Sequence, residues 1–199
     1  MADIIYTYKK QVYGNITNKC NCACTFCIRQ DRDKIGEADN LWHKVSPTVE
    51  DIKKAIDDFD FTGFEEFVFC GYGEPTCELD ILLETARYLK EKNNIRIRLN
   101  TNGLGNLYNK RNIVPELAKV IDCVSISLNA PDAKSYQEIT RPMYENAFGD
   151  LLEFASECNK KIDKTSLSVV DVLSKEDIDK AKKLADDLGI YLRVRKFGS

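Results

Sequence analysis

This sequence of 199 residues is notable first for what it lacks. No apolar run approaches the roughly 18 residues of a membrane span. The N-terminus, MADIIYTYKK, has no apolar signal-peptide core. The net charge is only −3. That excludes a broad surface for nucleic acid or an acidic membrane, while leaving room for a local basic site. There is no linker, low-complexity segment or sign of a second domain. A cytoplasmic chain of one domain, residues 1–199, is therefore expected. Thiols stay reduced there, so the eight cysteines read as metal ligands and free thiols, not as a disulfide framework. The rest of the composition is ordinary, 43% hydrophobic and 31% charged. A chain of this size buries roughly 70% of its unfolded surface.

Strand and helix patterns alternate along the chain. Strands are expected at Val12 to Thr17, EEFVFC, IRIRLN, CVSISLN, SLSVVDV and YLRVRKF. A helix after Ser46-Pro47 carries Val49, Ile52, Ile56 and Phe59 at helical spacing. A second carries Leu79, Leu82, Leu83, Ala86 and Leu89. A short helix follows Pro115, and two helical pieces divide at Arg141-Pro142. The last helix has Ser174 at its N-cap and Gly189 just past its end. Repeated βα units give a parallel sheet with helices outside. Six strands are too few for an eight-stranded barrel. The expected fold is an α/β partial (β/α)6 TIM-like barrel.

The unusual residues all fall after strands. The stretch CNCACTFC follows strand one, GYGEPT follows strand two, NTNG ends strand three and LNAP ends strand four. In parallel α/β folds this rim carries the site. Alternation adds a second clue. Ile97, Leu99, Val124, Ile126, Leu167, Val169, Leu192 and Val194 form the faces expected under the helices. The opposite faces carry Arg98 and Asn100, Ser125 and Ser127, Ser166 and Ser168, and Arg193 and Arg195. The interior is thus expected to be polar and partly basic, suited to an anionic ligand. A sheet with one solvent-exposed face would alternate in the same way.

Cys20, Cys24 and Cys27 form C-x3-C-x2-C. Three thiolates on one short loop suit a [4Fe–4S] cluster with one iron free of protein ligands. Structural zinc needs a second ligand pair from elsewhere, and Cys70, Cys77, Cys123 and Cys158 are scattered. Cys22 reads as a spare thiol, and Cys70 and Cys77 as small buried hydrophobes. Trp42 and His43 lie in a loop that could lid the interior, with His43 then moving protons. The plainer reading of His43 is structural.

With Phe26 as its aromatic, the loop C-x3-C-x-F-C resembles the signature of radical S-adenosylmethionine (SAM) enzymes. GYGEP, LNTNG and SLNAP are similar to further motifs of that superfamily. More narrowly, NITNKC, CTFCIR, ADNLW and SVVDV resemble the small TatD-associated radical SAM family, usually encoded beside or fused to a TatD-type metal-dependent nuclease. The resemblance implies a [4Fe–4S] cluster on Cys20, Cys24 and Cys27. Its open iron would chelate SAM, and an electron would cleave SAM to methionine and a 5′-deoxyadenosyl radical that takes a substrate hydrogen. It further implies Phe26 and Val170 near the adenine, and Gly73 and Glu74 toward the methionine amino group. Ser127 and Asn129 would face the ribose or carboxylate, and Tyr72 and Asn102 would complete the cofactor-binding set. Arg98, Arg193 and Arg195 are the expected substrate-binding residues, with one of them available to the SAM carboxylate. The implied partners are an electron donor such as flavodoxin or ferredoxin, a small-molecule or macromolecular substrate, and a TatD-type hydrolase. Rival readings are a glycyl-radical-enzyme activase, an enzyme like 7-carboxy-7-deazaguanine synthase, and an iron–sulfur electron-transfer protein without SAM.

Overall fold

In the computed structural model, residues 2–30 and 36–197 are described. Strand β1 (Ile5–Tyr8) opens the chain and β2 (Gln11–Gly14) follows it. Then come α1 (Val49–Asp57), β3 (Glu66–Phe69), α2 (Leu79–Lys92) and β4 (Arg96–Thr101). Two short helices, α3 (Gly105–Asn109) and α4 (Val114–Leu117), lead to β5 (Cys123–Ser127). Helices α5 (Ala133–Thr140) and α6 (Ala147–Lys161), β6 (Lys164–Val170), α7 (Lys175–Asp187) and β7 (Tyr191–Arg195) complete the chain.

The seven strands form one sheet in sequential order. Strands β2 to β7 are parallel neighbours, each joined to the next through helices. This is the expected six-stranded βα series. The departure is β1, which pairs antiparallel with β2, Tyr8 opposite Gln11. The turn between them is Lys9-Lys10, with Lys9 in the left-handed region at φ 58°. Tight hairpins usually announce themselves with Asn-Gly or Asp-Gly. Here two lysines make the turn, so the sequence carries no turn signal. The first parallel strand is also shorter than expected, because Asn15 to Thr17 leave the sheet and begin the rim loop.

The alternation holds through β6 but not on β7, the edge strand, where Leu192 is only partly buried and Val194 is exposed. Phe67, Phe69, Ile97, Leu99, Ile126, Leu167 and Val169 are fully buried under the helices. At about 25 cal/mol per Å2 of apolar surface, this main core dominates folding. The helix termini agree with their sequence signals. Ser174 caps α7 by accepting the Asp177 N–H, and Gly189 beyond it has φ 66°. Arg141, at φ 45°, ends α5 just before Pro142. The α1 cap lies at Thr48, in a reciprocal box with Asp51.

Candidate functional site

The cysteine loop follows β2 and is tied down by backbone bonds to a distant segment. The Ala23 N–H donates to Thr140 O at 3.1 Å, Thr25 N–H to Ile139 O at 2.9 Å, and Met143 N–H to Asn21 O at 3.0 Å. Cys22 forms an isolated bridge with Pro142. The end of α5 and the Arg141–Met143 turn therefore shape a loop that is more than 110 residues away in sequence.

The four thiols divide into two kinds. Cys20, Cys24 and Cys27 are partly exposed, and Cys22 is buried. Cys22 hydrogen-bonds the Cys24 sulfur, which lowers the Cys24 pKa and raises its own. The Asn102 side-chain amide also donates to the Cys22 sulfur at 3.5 Å. Burial pushes Cys20 up to about 11, with the nearby Glu74 charge adding to it. Iron binding would have to displace that proton. Among the described residues no three His, Cys, Asp or Glu side chains surround one metal ion. A four-iron cluster makes no such demand, because each thiolate takes a different iron. Three accessible thiols, with the fourth withdrawn into the core, fit that group.

The GYGEP turn packs directly on this loop. A Cβ at Gly73 would lie 2.3 Å from Thr17 O and 2.7 Å from Lys19 O. Only glycine permits so close a backbone approach. The Glu74 N–H then donates to Lys19 O at 2.7 Å. The Glu74 side chain is turned inward and buried. Its Oε1 accepts from the Thr76 hydroxyl at 2.8 Å, the Thr101 hydroxyl at 2.7 Å and the Thr76 N–H at 3.1 Å. Its Oε2 accepts from the Asn102 N–H at 2.7 Å. Burial raises the Glu74 pKa, and these donors oppose the rise. The carboxylate thus joins the ends of β3 and β4, and what it leaves at the rim is backbone.

Asn102 extends the same brace. Its Nδ2 donates to Asn21 Oδ1 at 2.5 Å and its Oδ1 accepts the Leu104 N–H at 3.0 Å. The Tyr72 ring is buried with Tyr6, Ala38 and Leu41, and Trp42 packs edge-on against it at 5.1 Å. Arg29 reaches the Tyr72 and Asn18 carbonyls. Phe26 and Ser127 are partly exposed and Val170 is buried. Asn129 is buried at φ 59°, with Oδ1 lacking a hydrogen-bond partner. His43 is bolted to the rim loop, its Nε2 2.8 Å from Asn15 O. A cavity of 620 Å3 beside it, lined by Trp42, Asp51 and Lys54, includes none of the four loop cysteines.

On the inner wall the arginines have different fates. Arg98 Nη2 lies 3.2 Å from Glu66 Oε2 and donates to Gln11 Oε1 at 3.0 Å. Gln11 in turn donates to Glu66 Oε2 at 2.5 Å and accepts from Tyr13 OH at 2.9 Å. The charge expected to meet a substrate is therefore already answered by Glu66. Glu66 and Gln11 were absent from the site read in the sequence, although alternation along EEFVFC places Glu66 and Cys70 on the face of Arg98. Arg193 and Arg195 take part in no ion pair among the described residues. Arg195 lies near Cys70 of the rim and Tyr13 of β2, which shows that the sheet curls until its last strand faces its first parallel ones.

Comparison with known proteins supplies the context. The Radical SAM superfamily model matches residues 15–188. A Methanocaldococcus jannaschii protein, provisionally named a glycyl-radical enzyme activating enzyme, is 30% identical over 179 residues, covering 86% of this chain and 67% of its own. The crystal structure of Streptococcus suis SuiB bound to the precursor peptide SuiA superposes with a TM-score of 0.71 at 19% identity, covering 97% of this chain and 40% of SuiB. Methylornithine synthase superposes at 0.66 and 13% identity, covering 94% of this chain and 53% of its own. The chain thus spans about two thirds of the curated relative's length and two fifths of SuiB.

Proposed function

Because this chain belongs to the radical SAM superfamily, we propose that Cys20, Cys24 and Cys27 hold a [4Fe–4S] cluster at the rim and that SAM binds beside it. When bound, these groups supply the electron and the 5′-deoxyadenosyl radical that takes hydrogen from a substrate. The chain's own residues position them. The Gly73 backbone fits against the cysteine loop, and Glu74 holds the Asn102 turn against Asn21 and Cys22. Asn129, with its unpaired Oδ1, and Ser127 offer polar contacts to SAM. Phe26 and Val170 offer apolar ones. Tyr72 contributes its backbone, since its ring is committed to the core. Cys22 is a support for Cys24, not a ligand.

The observation that carries this reading is the division of the loop into three accessible thiols and one buried one. The test is anaerobic reconstitution followed by SAM and dithionite. SAM should perturb the EPR signal of the reduced cluster, and 5′-deoxyadenosine should form, slowly without substrate. A fully loaded protein that neither binds nor cleaves SAM would leave only an iron–sulfur electron-transfer role.

A second reading is favoured by the name of the archaeal relative: activation of a glycyl-radical enzyme. It requires a large protein substrate, and a glycyl EPR doublet on a co-encoded protein would support it. The motifs NITNKC and CTFCIR support the TatD-associated family, with a TatD-type hydrolase as partner and flavodoxin or ferredoxin as electron donor. The eight cysteines of the sequence, read as thiols and metal ligands, support a reducing, cytoplasmic setting.

A further inference from the structure

Two arginines of β7, Arg193 exposed and Arg195 partly buried, have no ion-pair partner among the described residues. By register, Arg193 pairs with Ser168 and Arg195 with Val170. Both therefore stand on the same face of β7 as the Ser166 and Ser168 row. Arg195 Nε is buried and has no hydrogen-bond partner. Its guanidinium makes neither hydrogen bond nor ion pair among the described residues. Its electrostatic neighbours are Cys70, Arg193 and Tyr13, none of them a carboxylate. The contrast with Arg98 is internal to the same wall. There, Glu66 compensates the charge and Gln11 accepts from the same Nη2, although Arg98 Nε, like Arg195 Nε, is buried without a hydrogen-bond partner.

A buried charge is expensive unless something pairs with it. Burial and the neighbouring Arg193 both depress the Arg195 pKa, while Cys70 and Tyr13 oppose them. A second orphan lies nearby in the sheet: Asn100 Oδ1 is buried without a partner, and Asn100 bonds the Cys70 thiol. Folding has thus left Arg195 Nε and an amide oxygen buried without partners on the inner wall. The internal pair at Arg98 shows that the fold can supply a carboxylate when it needs one.

We propose that Arg195, assisted by Arg193, is an oxyanion subsite that holds a carboxylate or phosphate group of the substrate. A guanidinium forks onto either group through two parallel hydrogen bonds. Arg98 takes no direct part, since Glu66 already answers its charge. This rests on the reading above for what the rest of the substrate meets, but the anion contact itself does not depend on SAM chemistry.

The test uses the cluster-loaded protein, with inorganic phosphate and malonate as separate probes, and Arg195→Gln beside wild type. At a probe concentration about ten times its Kd, the wild-type unfolding midpoint should rise by about 3–5 °C. The probe with the larger effect distinguishes a phosphate from a carboxylate substrate. Arg195→Gln should lose that rise while its SAM affinity, from equilibrium dialysis, stays within about twofold. An unchanged rise in Arg195→Gln would show only general salt stabilisation and overturn the proposal. A tenfold loss of SAM affinity in Arg195→Gln would also overturn it, by assigning the guanidinium to the SAM carboxylate. Should circular dichroism show Arg195→Gln unfolded, Arg195→Lys decides. It keeps the charge without the fork, so about tenfold weaker anion binding is expected, and wild-type binding would overturn the proposal. If wild type fails to bind SAM, the earlier reading falls, and the anion arm still stands or falls on its own result.

Discussion

The Glu74 carboxylate accepts the backbone N–H of Asn102 at 2.7 Å, although the two residues belong to the ends of different strands. Through this bond the GYGEP turn holds the NTNG turn. Asn102 in turn reaches Asn21 and Cys22 in the cysteine loop. Three of the four unusual rim segments are thereby one braced unit.

Replacing Glu74 by Gln should break the brace. Either orientation of the amide sets an NH2 against at least one of the donors now facing the carboxylate. A buried unsatisfied donor costs about 1–3 kcal/mol. Urea unfolding of the apoprotein should show a loss of about 2–3 kcal/mol, and the rate of 5′-deoxyadenosine formation should fall with it. A stability unchanged within experimental error would mean that the brace carries no energy.

The cysteines should separate by variant. Cys20→Ala, Cys24→Ala and Cys27→Ala are each expected to lose the iron and sulfide that a four-iron cluster brings. Cys22→Ala should retain both, while losing about 1 kcal/mol of stability with the bonds its thiol makes. Iron, sulfide and EPR analysis of the four proteins decide it, and an iron-free Cys22→Ala protein would make Cys22 a ligand.

The inner-wall pair should behave as a coupled unit. Glu66 and Arg98 side chains are only 12% and 16% exposed. Glu66→Ala leaves the guanidinium buried and unpaired, at a cost of about 3 kcal/mol. Adding Arg98→Met should recover part of that, giving a coupling energy above about 1 kcal/mol in denaturant unfolding. Additive single and double variants would show that the two charges do not depend on each other.

His43 should make the fold sensitive to mild acid. Burial is the largest influence on its imidazole and pulls the pKa below the ordinary value, which is about 6.5 in the unfolded chain. The unfolded state therefore binds the proton first. The stability that His43 contributes is intact above about pH 6.5 and is lost as pH falls from there through the lower folded pKa. Between pH 7.5 and 5, the urea midpoint of wild type should fall further than that of His43→Gln. Equal falls would remove His43 as a source of acid sensitivity.

The sequence by itself determined the βα series, because helical spacing and strand alternation are local consequences of burying one face. It also determined that the rim carries the unusual residues, since each motif follows a strand. The spacing of Cys20, Cys24 and Cys27 drew them together as one donor set. Only the tertiary structure decided what each side chain on the rim and wall does. Glu74, placed in the sequence as a polar contact for SAM, is consumed by Thr76, Thr101 and Asn102. Arg98, Arg193 and Arg195 are equivalent by alternation, but Glu66 stands beside only Arg98. The β1 hairpin was invisible because Lys9 adopts a left-handed conformation with no glycine or asparagine to announce it. Periodicity reports which face a residue occupies. Which partner awaits it there depends on strand register, sheet curvature and residues from other strands and turns, and folding alone brings those together.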